Sequence, residues 1–173
     1  MEPEVGEEGI DSNPVTMSAT TNWSYAIHRE ICYALSRDRY NANDWGTSTR
    51  IIHNGGSWYA GDWNYMGLGI GKGGQCKVFA SKIVDNATGG VLKIPTGYSY
   101  ATGSINSVHS SDVIQRLSQY GRHTAIVLSV LERHPDGRPK KLDVIDSNFI
   151  QSGTITRHVL PMWGHELSQY RVW

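Results

Sequence analysis

Cysteine is scarce in this sequence, which has only Cys32 and Cys76 among its 173 residues. Two cysteines are too few for the disulfide framework that holds small secreted domains together, although they could form one bridge with each other. At this length a single domain can build a hydrophobic core of its own. We therefore expect a fold that does not depend on disulfides.

Long apolar runs and an excess of one charge are also missing. No stretch approaches the length that crosses a bilayer, and the N-terminus is acidic where a secretory signal would be basic and then apolar. Lys and Arg total 16, Asp and Glu total 16, and the formal net charge is zero. No strong field therefore favours a nucleic acid or an anionic membrane as the partner. We expect no nucleic acid binding and no membrane span.

The first segment differs in composition from the rest of the chain. Residues 1–21 are polar and acidic, contain no Lys or Arg and show no hydrophobic periodicity. Such a segment cannot bury enough apolar surface to fold by itself. We expect a disordered acidic lead-in or linker at 1–21, followed by a single domain at 22–173.

Helical spacing occurs twice near the start of this domain. Apolar residues from Trp23 to Leu35 recur at intervals that predict a helix ending near residues 38–40. A second pattern runs from Cys76 to Ala87 and is ended by Gly89-Gly90. The predicted buried stripe of the second helix is Phe79, Ala80, Ile83, Val84 and Ala87.

Strand patterns follow the helices. The predicted strands are 91–94, 112–116, 123–131, 142–145, 154–160 and 170–173, with loops at 45–75 and 95–110. A Pro- and Gly-containing turn at 133–139 separates two of these strands and predicts that they pair antiparallel. Helices followed by a run of strands indicate an α+β fold with helices packed on an antiparallel sheet.

Cys76 has the clearest chemical context of any residue. It follows Gly73, Gly74 and Gln75, and the second helical pattern begins on it. A thiol at a helix N-terminus lies near unpaired N–H groups and the positive end of the helix dipole, which both favour the thiolate. The alternative is a buried structural cysteine, which is the interpretation we favour for Cys32.

His123 is the favoured base among the seven histidines. It opens the strongest strand, on the face that also carries Ala125 and Val127, so its side chain can face a groove. His158 in a later strand is the best rival, and His109 comes next. The alternative for His123 is an exposed histidine at a strand end.

Asp146 and Asn148 are the candidates to orient this base. They lie two residues apart in an extended segment and therefore share a face. If their strand pairs with the His123 strand, either side chain can accept a hydrogen bond from the imidazole. The alternative is turn chemistry, because Asp-Ser-Asn also ends strands. Thiolate, imidazole and an orienting group together form a cysteine nucleophile.

These segments follow one another in the order of a known family. The runs 74–76, 112–114, 123–127 and 144–148 resemble the CHAP domain, a cysteine- and histidine-dependent amidohydrolase/peptidase, over about residues 70–150. The resemblance implies a papain-like fold with the catalytic cysteine at a helix N-terminus. It also implies cleavage of amide bonds in bacterial peptidoglycan: in the stem peptide, in the cross-bridge, or between muramic acid and alanine.

The resemblance further implies a role for each matching residue. Cys76 would be the nucleophile, His123 the base, and Asp146 the acidic residue that is commonly Glu in the family. Because Asp is one methylene shorter, its contact with His123 is expected to be looser, or Asn148 takes that role. Gln75 and Gly74 would shape the oxyanion and substrate-binding region.

No cofactor or metal is expected beside these residues. Some members of the family bind calcium upstream of the cysteine, but the segment 41–46 has a single carboxylate, too few for such a site. The expected enzyme is a monomer that acts on peptidoglycan or a peptide outside the cell or in the cell wall. The Trp and Tyr residues of the 45–75 loop could line its groove, although core packing is favoured for most of them.

Three other functions stay open at the level of sequence. The same fold without catalysis would be a cell-wall binding module. A Cys32–Cys76 disulfide would give a redox function. An effector or toxin peptidase of this fold would act on another substrate or on the wall of another cell.

Overall fold

A computed structural model of the chain describes residues 23–36, 59–60, 75–94, 99–150 and 155–173. These residues contain the helices α1 (Ser24–Ser36) and α2 (Cys76–Thr88). Their strands are β1 (Tyr59–Ala60), β2 (Gly103–Ser104), β3 (Val113–Arg116), β4 (Thr124–Arg133), β5 (Pro139–Ser147), β6 (Ile155–Leu160) and β7 (Tyr170–Val172). The predicted lead-in at 1–21 lies outside the described residues, as does the 45–74 loop apart from β1.

The strands form one antiparallel sheet in the order β1-β6-β5-β4-β3-β7-β2. The predicted pairing across the 133–139 turn is confirmed, since β4 and β5 are antiparallel neighbours. Two predictions at the sheet margin are wrong. Residues 91–94 hold a single bridge residue, Leu92, and the predicted 95–110 loop contains β2 and a 3-10 turn at Ile105–Ser107. The α+β architecture itself is confirmed.

Hydrophobic core lies on both faces of this sheet. On one face the two helices pack against alternate residues of the long strands, among them Ile126, Leu128 and Ile145. Among the described residues, the other face is covered by strand, 3-10 and loop residues, including Ala125, Val127 and Tyr170. The register shifts between β4 and β5 are of the kind that increase the twist of a sheet.

Helix α2 begins and ends where the sequence predicts. Its C-terminus is closed by Gly89 in the left-handed conformation (φ 60°), which glycine adopts without a Cβ penalty. The predicted buried stripe is right for Phe79, Ala80, Ile83 and Val84, but the last buried residue is Thr88 and not Ala87. Thr88 is buried because its hydroxyl donates to the Val84 carbonyl at 2.8 Å. This helix fixes the direction in which Cys76 approaches the sheet.

Candidate active site

Cys76 is the first residue of α2, and the side chain of the residue in front of it does not cap the helix. Gln75 occupies the N-cap position with extended backbone (φ −70°, ψ 153°), and its exposed side chain makes no capping hydrogen bond. The first-turn N–H groups have no acceptor within the helix. The positive end of the helix dipole at this position favours a negative charge on sulfur or on a substrate oxygen.

The Cys76 thiol is a free, half-buried group whose pKa lies below its ordinary value. Burial alone would raise this pKa. Its effect is outweighed by the hydrogen bond and positive charge of His123, together with the backbone N–H groups of Thr124 and Lys77. The site therefore favours the thiolate, which is the nucleophilic form.

His123 is buried immediately before β4 and lies between the thiol and a carboxylate. Its Nε2 donates to Oδ2 of Asp146 at 2.7 Å, which leaves Nδ1 for the hydrogen bond with Cys76. Burial lowers the pKa of His123, but the charge and hydrogen bond of Asp146 and the contact with Cys76 raise it to about 9. The geometry thus favours a thiolate–imidazolium pair at neutral pH.

Asp146 is fully buried in β5, the strand between β4 and β6. Its strand partners are Ala125 on one side and Thr156 on the other. His123 and His158 each lie two residues from those partners, so both are diagonal neighbours of Asp146 on the same face of the sheet. Strand register alone therefore directs two imidazoles to one carboxylate.

The second imidazole makes a contact as short as the first. His158 Nε2 lies 2.7 Å from Oδ2 of Asp146, and the Thr156 hydroxyl donates to Oδ1 at 3.3 Å. Burial would raise the pKa of Asp146, but the charges and hydrogen bonds of His158 and His123 hold it well below its usual range. An ionised carboxylate only accepts hydrogen bonds, so both Nε2 atoms carry their proton.

The structure brings Cys76, His123 and Asp146 together. Because Asp is shorter than Glu, we expected a looser contact between Asp146 and His123. The contact is instead short, because the strand register makes the two residues diagonal neighbours. Asn148 is exposed just past the end of β5, where its left-handed backbone (φ 67°) turns the chain away from the strand. Gln75 adjoins Cys76, and Gly74 lies outside the described residues.

The rival histidines occupy different places. The His109 ring is largely exposed, and its Nδ1 lies 3.6 Å from Asp112. His158 is no rival at all, because it contacts the same carboxylate oxygen as His123. The sequence held a signal for this, since Thr156, His158 and Leu160 alternate on one face of a predicted strand. This alternation predicts the contact between His158 and Asp146 only when the register between β5 and β6 is known.

An aromatic cluster beside His123 was not predicted. The Phe149 ring lies 4.7 Å from the His123 ring, stacks on His158 at 4.8 Å, and stacks on Trp163 at 5.4 Å with an interplanar angle of 7°. Trp163 is 66% exposed and has a left-handed backbone (φ 52°), which is uncommon for a bulky residue. A stack of rings therefore runs from the buried His158 through Phe149, which lies beside His123, to the exposed Trp163.

His165 completes the surroundings of the imidazole. Its ring meets the His123 ring edge-on at 5.8 Å, its Nε2 accepts from Nη1 of Arg116 at 3.1 Å, and its Nδ1 lies 2.9 Å from the Tyr170 hydroxyl. Burial and the positive charges of Arg116 and His123 lower the pKa of His165 to about 4. It is therefore uncharged at neutral pH and does not repel the His123 imidazolium.

A groove of ≈ 450 Å³ lies along α2 and begins next to this site. Its lining includes Gln75 and Lys77, which flank Cys76, and it continues to Lys93 and Ile94. Cys76, His123 and Asp146 do not line it, so the groove adjoins these three residues without containing them. Within the described ranges, no group of His, Cys, Asp and Glu is arranged to hold a metal ion. No helix in the same ranges is long and apolar enough to cross a membrane.

Comparison with known proteins adds no family assignment. No protein-family model, curated protein or solved structure matches this chain significantly. The chemistry of the site is therefore argued from its own geometry.

Proposed function

We propose that the protein is a papain-like cysteine amidohydrolase or peptidase. The observation that carries the proposal is the chain of contacts from Cys76 through His123 to the buried Asp146. A structural cysteine needs neither a protonated imidazole at its sulfur nor a buried carboxylate behind that imidazole. A nucleophile needs both, because the thiolate must form at neutral pH and its base must keep one orientation.

The residues suggest a complete reaction sequence. Nδ1 of His123 takes the Cys76 proton, and the thiolate attacks the carbonyl carbon of an amide. Backbone N–H groups at the start of α2, with Gln75 beside them, would stabilise the oxyanion. His123 then protonates the amine as the C–N bond breaks, and water, deprotonated by His123, hydrolyses the thioester. Asp146 stays ionised throughout and stabilises the imidazolium.

Peptidoglycan is the proposed substrate. The support is the resemblance of the site segments to the CHAP domain and the exposed Trp163 ring near His123. An aromatic face packs well against the C–H-rich face of a sugar ring, so a glycan strand could lie on it while its peptide enters the site. The proposed place of action is therefore the cell wall or the extracellular space.

Digestion of purified peptidoglycan, with mass analysis of the products, tests this function. We expect the wild-type protein to release fragments with new amine and carboxyl ends, whose masses identify the amide bond that is cut. Cys76→Ala should release none, because it removes the thiol that is hydrogen-bonded to His123 and would form the thioester. Cys32→Ala is the matched control and should keep the wild-type activity.

Two outcomes would contradict the proposal in different ways. Full activity of folded Cys76→Ala would exclude the cysteine mechanism. Absence of products from peptidoglycan and from peptide libraries, with an ordinary reactivity of Cys76 toward iodoacetamide near neutral pH, would indicate a binding module. Cleavage of peptides but not of peptidoglycan would keep the mechanism and exclude the proposed substrate.

A further inference from the structure

His158 is a buried ionisable residue that the reaction sequence above does not use. It is 0% exposed in β6, and its Nε2 shares Oδ2 of Asp146 with Nε2 of His123. Asp146 lies in β5, His158 lies in the neighbouring β6, and His123 immediately precedes β4 on the other side; each histidine contacts the carboxylate at 2.7 Å. The carboxylate is therefore held from both sides.

Packing alone does not account for this arrangement. A buried histidine with a purely structural role can satisfy its ring with backbone carbonyls, but Nδ1 of His158 lies 3.4 Å from the Val159 carbonyl, near the limit for a hydrogen bond. The short contact is the one to Asp146, whose other oxygen accepts only the longer bond from Thr156. The ring of His158 is thus oriented toward the carboxylate of the nucleophile's own base.

We propose that His158 is a positioning residue, whose Nε2–H fixes Asp146 where it accepts from His123 and thereby sets the protonation of Cys76. The expected effect of His158 on hydrolysis rests on the proposed function. Its expected effect on the protonation of Cys76 does not rest on that function, because it follows from the contacts among these side chains. His158 touches neither thiol nor substrate and acts only through Asp146 and His123.

The direction of the effect follows from charge. An N–H donor presents positive potential to the carboxylate, and its removal makes every proton in the coupled group harder to lose. Loss of His158 therefore raises the pKa of Asp146, of His123 and of Cys76. The ionisable groups that face this cluster within the described residues are Cys76 of α2, Arg116 of β3, His123, Asp146 of β5, His165 and Tyr170 of β7.

The test is the rate of Cys76 alkylation by iodoacetamide between pH 4 and 10 in the full chain, with Cys32 replaced by Ala. In His158→Leu we expect the midpoint of the curve of alkylation rate against pH to move to higher pH. His158→Gln retains a side-chain N–H of similar reach and should return the midpoint toward the wild-type value. His109→Leu removes an exposed histidine and is the control that should not move it. Folding of each variant is checked by circular dichroism.

Hydrolysis provides the second measurement. Once a substrate is found, His158→Leu should lower kcat by about 10- to 100-fold with a smaller effect on KM, the range seen for partners that orient a metal-bound imidazole. His158→Gln should recover most of that loss. If the wild-type protein hydrolyses nothing, the proposed function fails, and the alkylation profiles still decide the inference about His158.

Two results would overturn the inference. One is a folded His158→Leu protein whose alkylation profile coincides with that of the wild type. The other comes from a measurement that does not need this variant to fold, the ¹⁵N spectrum of the wild-type imidazoles. We expect that spectrum to show protonated Nε2 atoms in both His123 and His158. A His158 protonated only at Nδ1 could not donate to Asp146, and the proposal would be wrong.

Discussion

At the scale of single residues, the chemistry depends on one carboxylate. Asp146 is fully buried, yet it stays ionised because His123, His158 and Thr156 all donate to it. Its negative charge is what keeps His123 protonated next to a thiol. The thiolate, although buried in part, is thus stabilised by a carboxylate that acts through one intervening side chain, His123.

The pH dependence of hydrolysis should report both members of the ion pair. Activity needs the Cys76 thiolate and the His123 imidazolium together, so kcat/KM should follow a bell-shaped curve. The alkaline limb should fall through about pH 9, because the raised pKa of His123 means that its proton is retained below that value and lost above it. On the acid side, kcat/KM should fall as the pH drops through the lowered pKa of Cys76, because the thiolate then takes up a proton. An alkaline limb near the ordinary histidine pKa would show that Asp146 does not stabilise the imidazolium.

Replacement of the Asp146 carboxylate should lower kcat far more than replacement of the nearby Asn148. Asp146→Asn keeps the shape but removes the charge, so the His123 pKa should fall and kcat should drop by on the order of 10²- to 10⁴-fold. Asn148→Gly is the matched variant, because glycine accepts the same left-handed backbone. It should leave kcat within about threefold of wild type, since surface changes of this kind cost little. A comparable loss in both variants would mean that Asn148 also orients the base.

At the scale of secondary-structure elements, the start of α2 and the β4–β5 pair could be predicted from the sequence. The apolar spacing after Cys76 and the Gly89-Gly90 stop define the helix, and the 133–139 turn predicts the antiparallel pair. Since His123 immediately precedes β4 and Asp146 lies in β5, their contact followed once the pairing was assumed. These features depend on local periodicity and turn chemistry, which a single sequence contains.

The rest of the site depends on information that is not local. The position of His158 beside Asp146 requires the β5–β6 register, and the turn residues at 148–154 do not specify which residues of the two strands pair. Phe149 and Trp163 meet in space only because the chain after β6 returns toward the end of β5. Neither residue has a spacing or motif of its own. Side-chain clusters formed by such returns are not visible in hydrophobic patterns.

The turn after β6 is the element that presents Trp163. Nη2 of Arg116 donates to the Gly164 carbonyl at 3.1 Å, and the Met162 carbonyl accepts from the His165 N–H at 2.9 Å. These bonds hold the left-handed backbone of Trp163 in place, so its ring keeps contact with Phe149. Backbone strain of this kind is often retained where a side chain has a function.

This turn should contribute to substrate affinity more than to chemistry. Trp163→Ala removes the exposed aromatic face but leaves Cys76, His123 and Asp146 in place. We expect KM for glycan-bearing peptidoglycan fragments to rise about 5- to 10-fold, the loss of one stacking contact of about 1 kcal/mol, while kcat stays near the wild-type value. The same peptide without its sugars should show little change in KM. Equal effects on both substrates would show that Trp163 does not contact the glycan.

At the scale of the whole molecule, the candidate active site is assembled from distant parts of the chain. His123 and Asp146 are 23 residues apart, and Cys76 belongs to a helix that packs on the opposite face of the sheet from Ala125 and Val127. No short segment contains two of these residues in contact. The site therefore exists only when α2, β4 and β5 are all in place.

That non-local assembly makes the sulfur a sensor of folding. In an unfolded chain Cys76 loses its imidazolium partner and regains the ordinary thiol pKa, so at mildly acidic pH it becomes slow to alkylate. Most cysteines show the reverse, because unfolding exposes them to the reagent. Below pH 7, the rate of Cys76 alkylation should therefore fall as denaturant is added and the sheet is lost. This rate would measure the fraction of molecules that are fully folded.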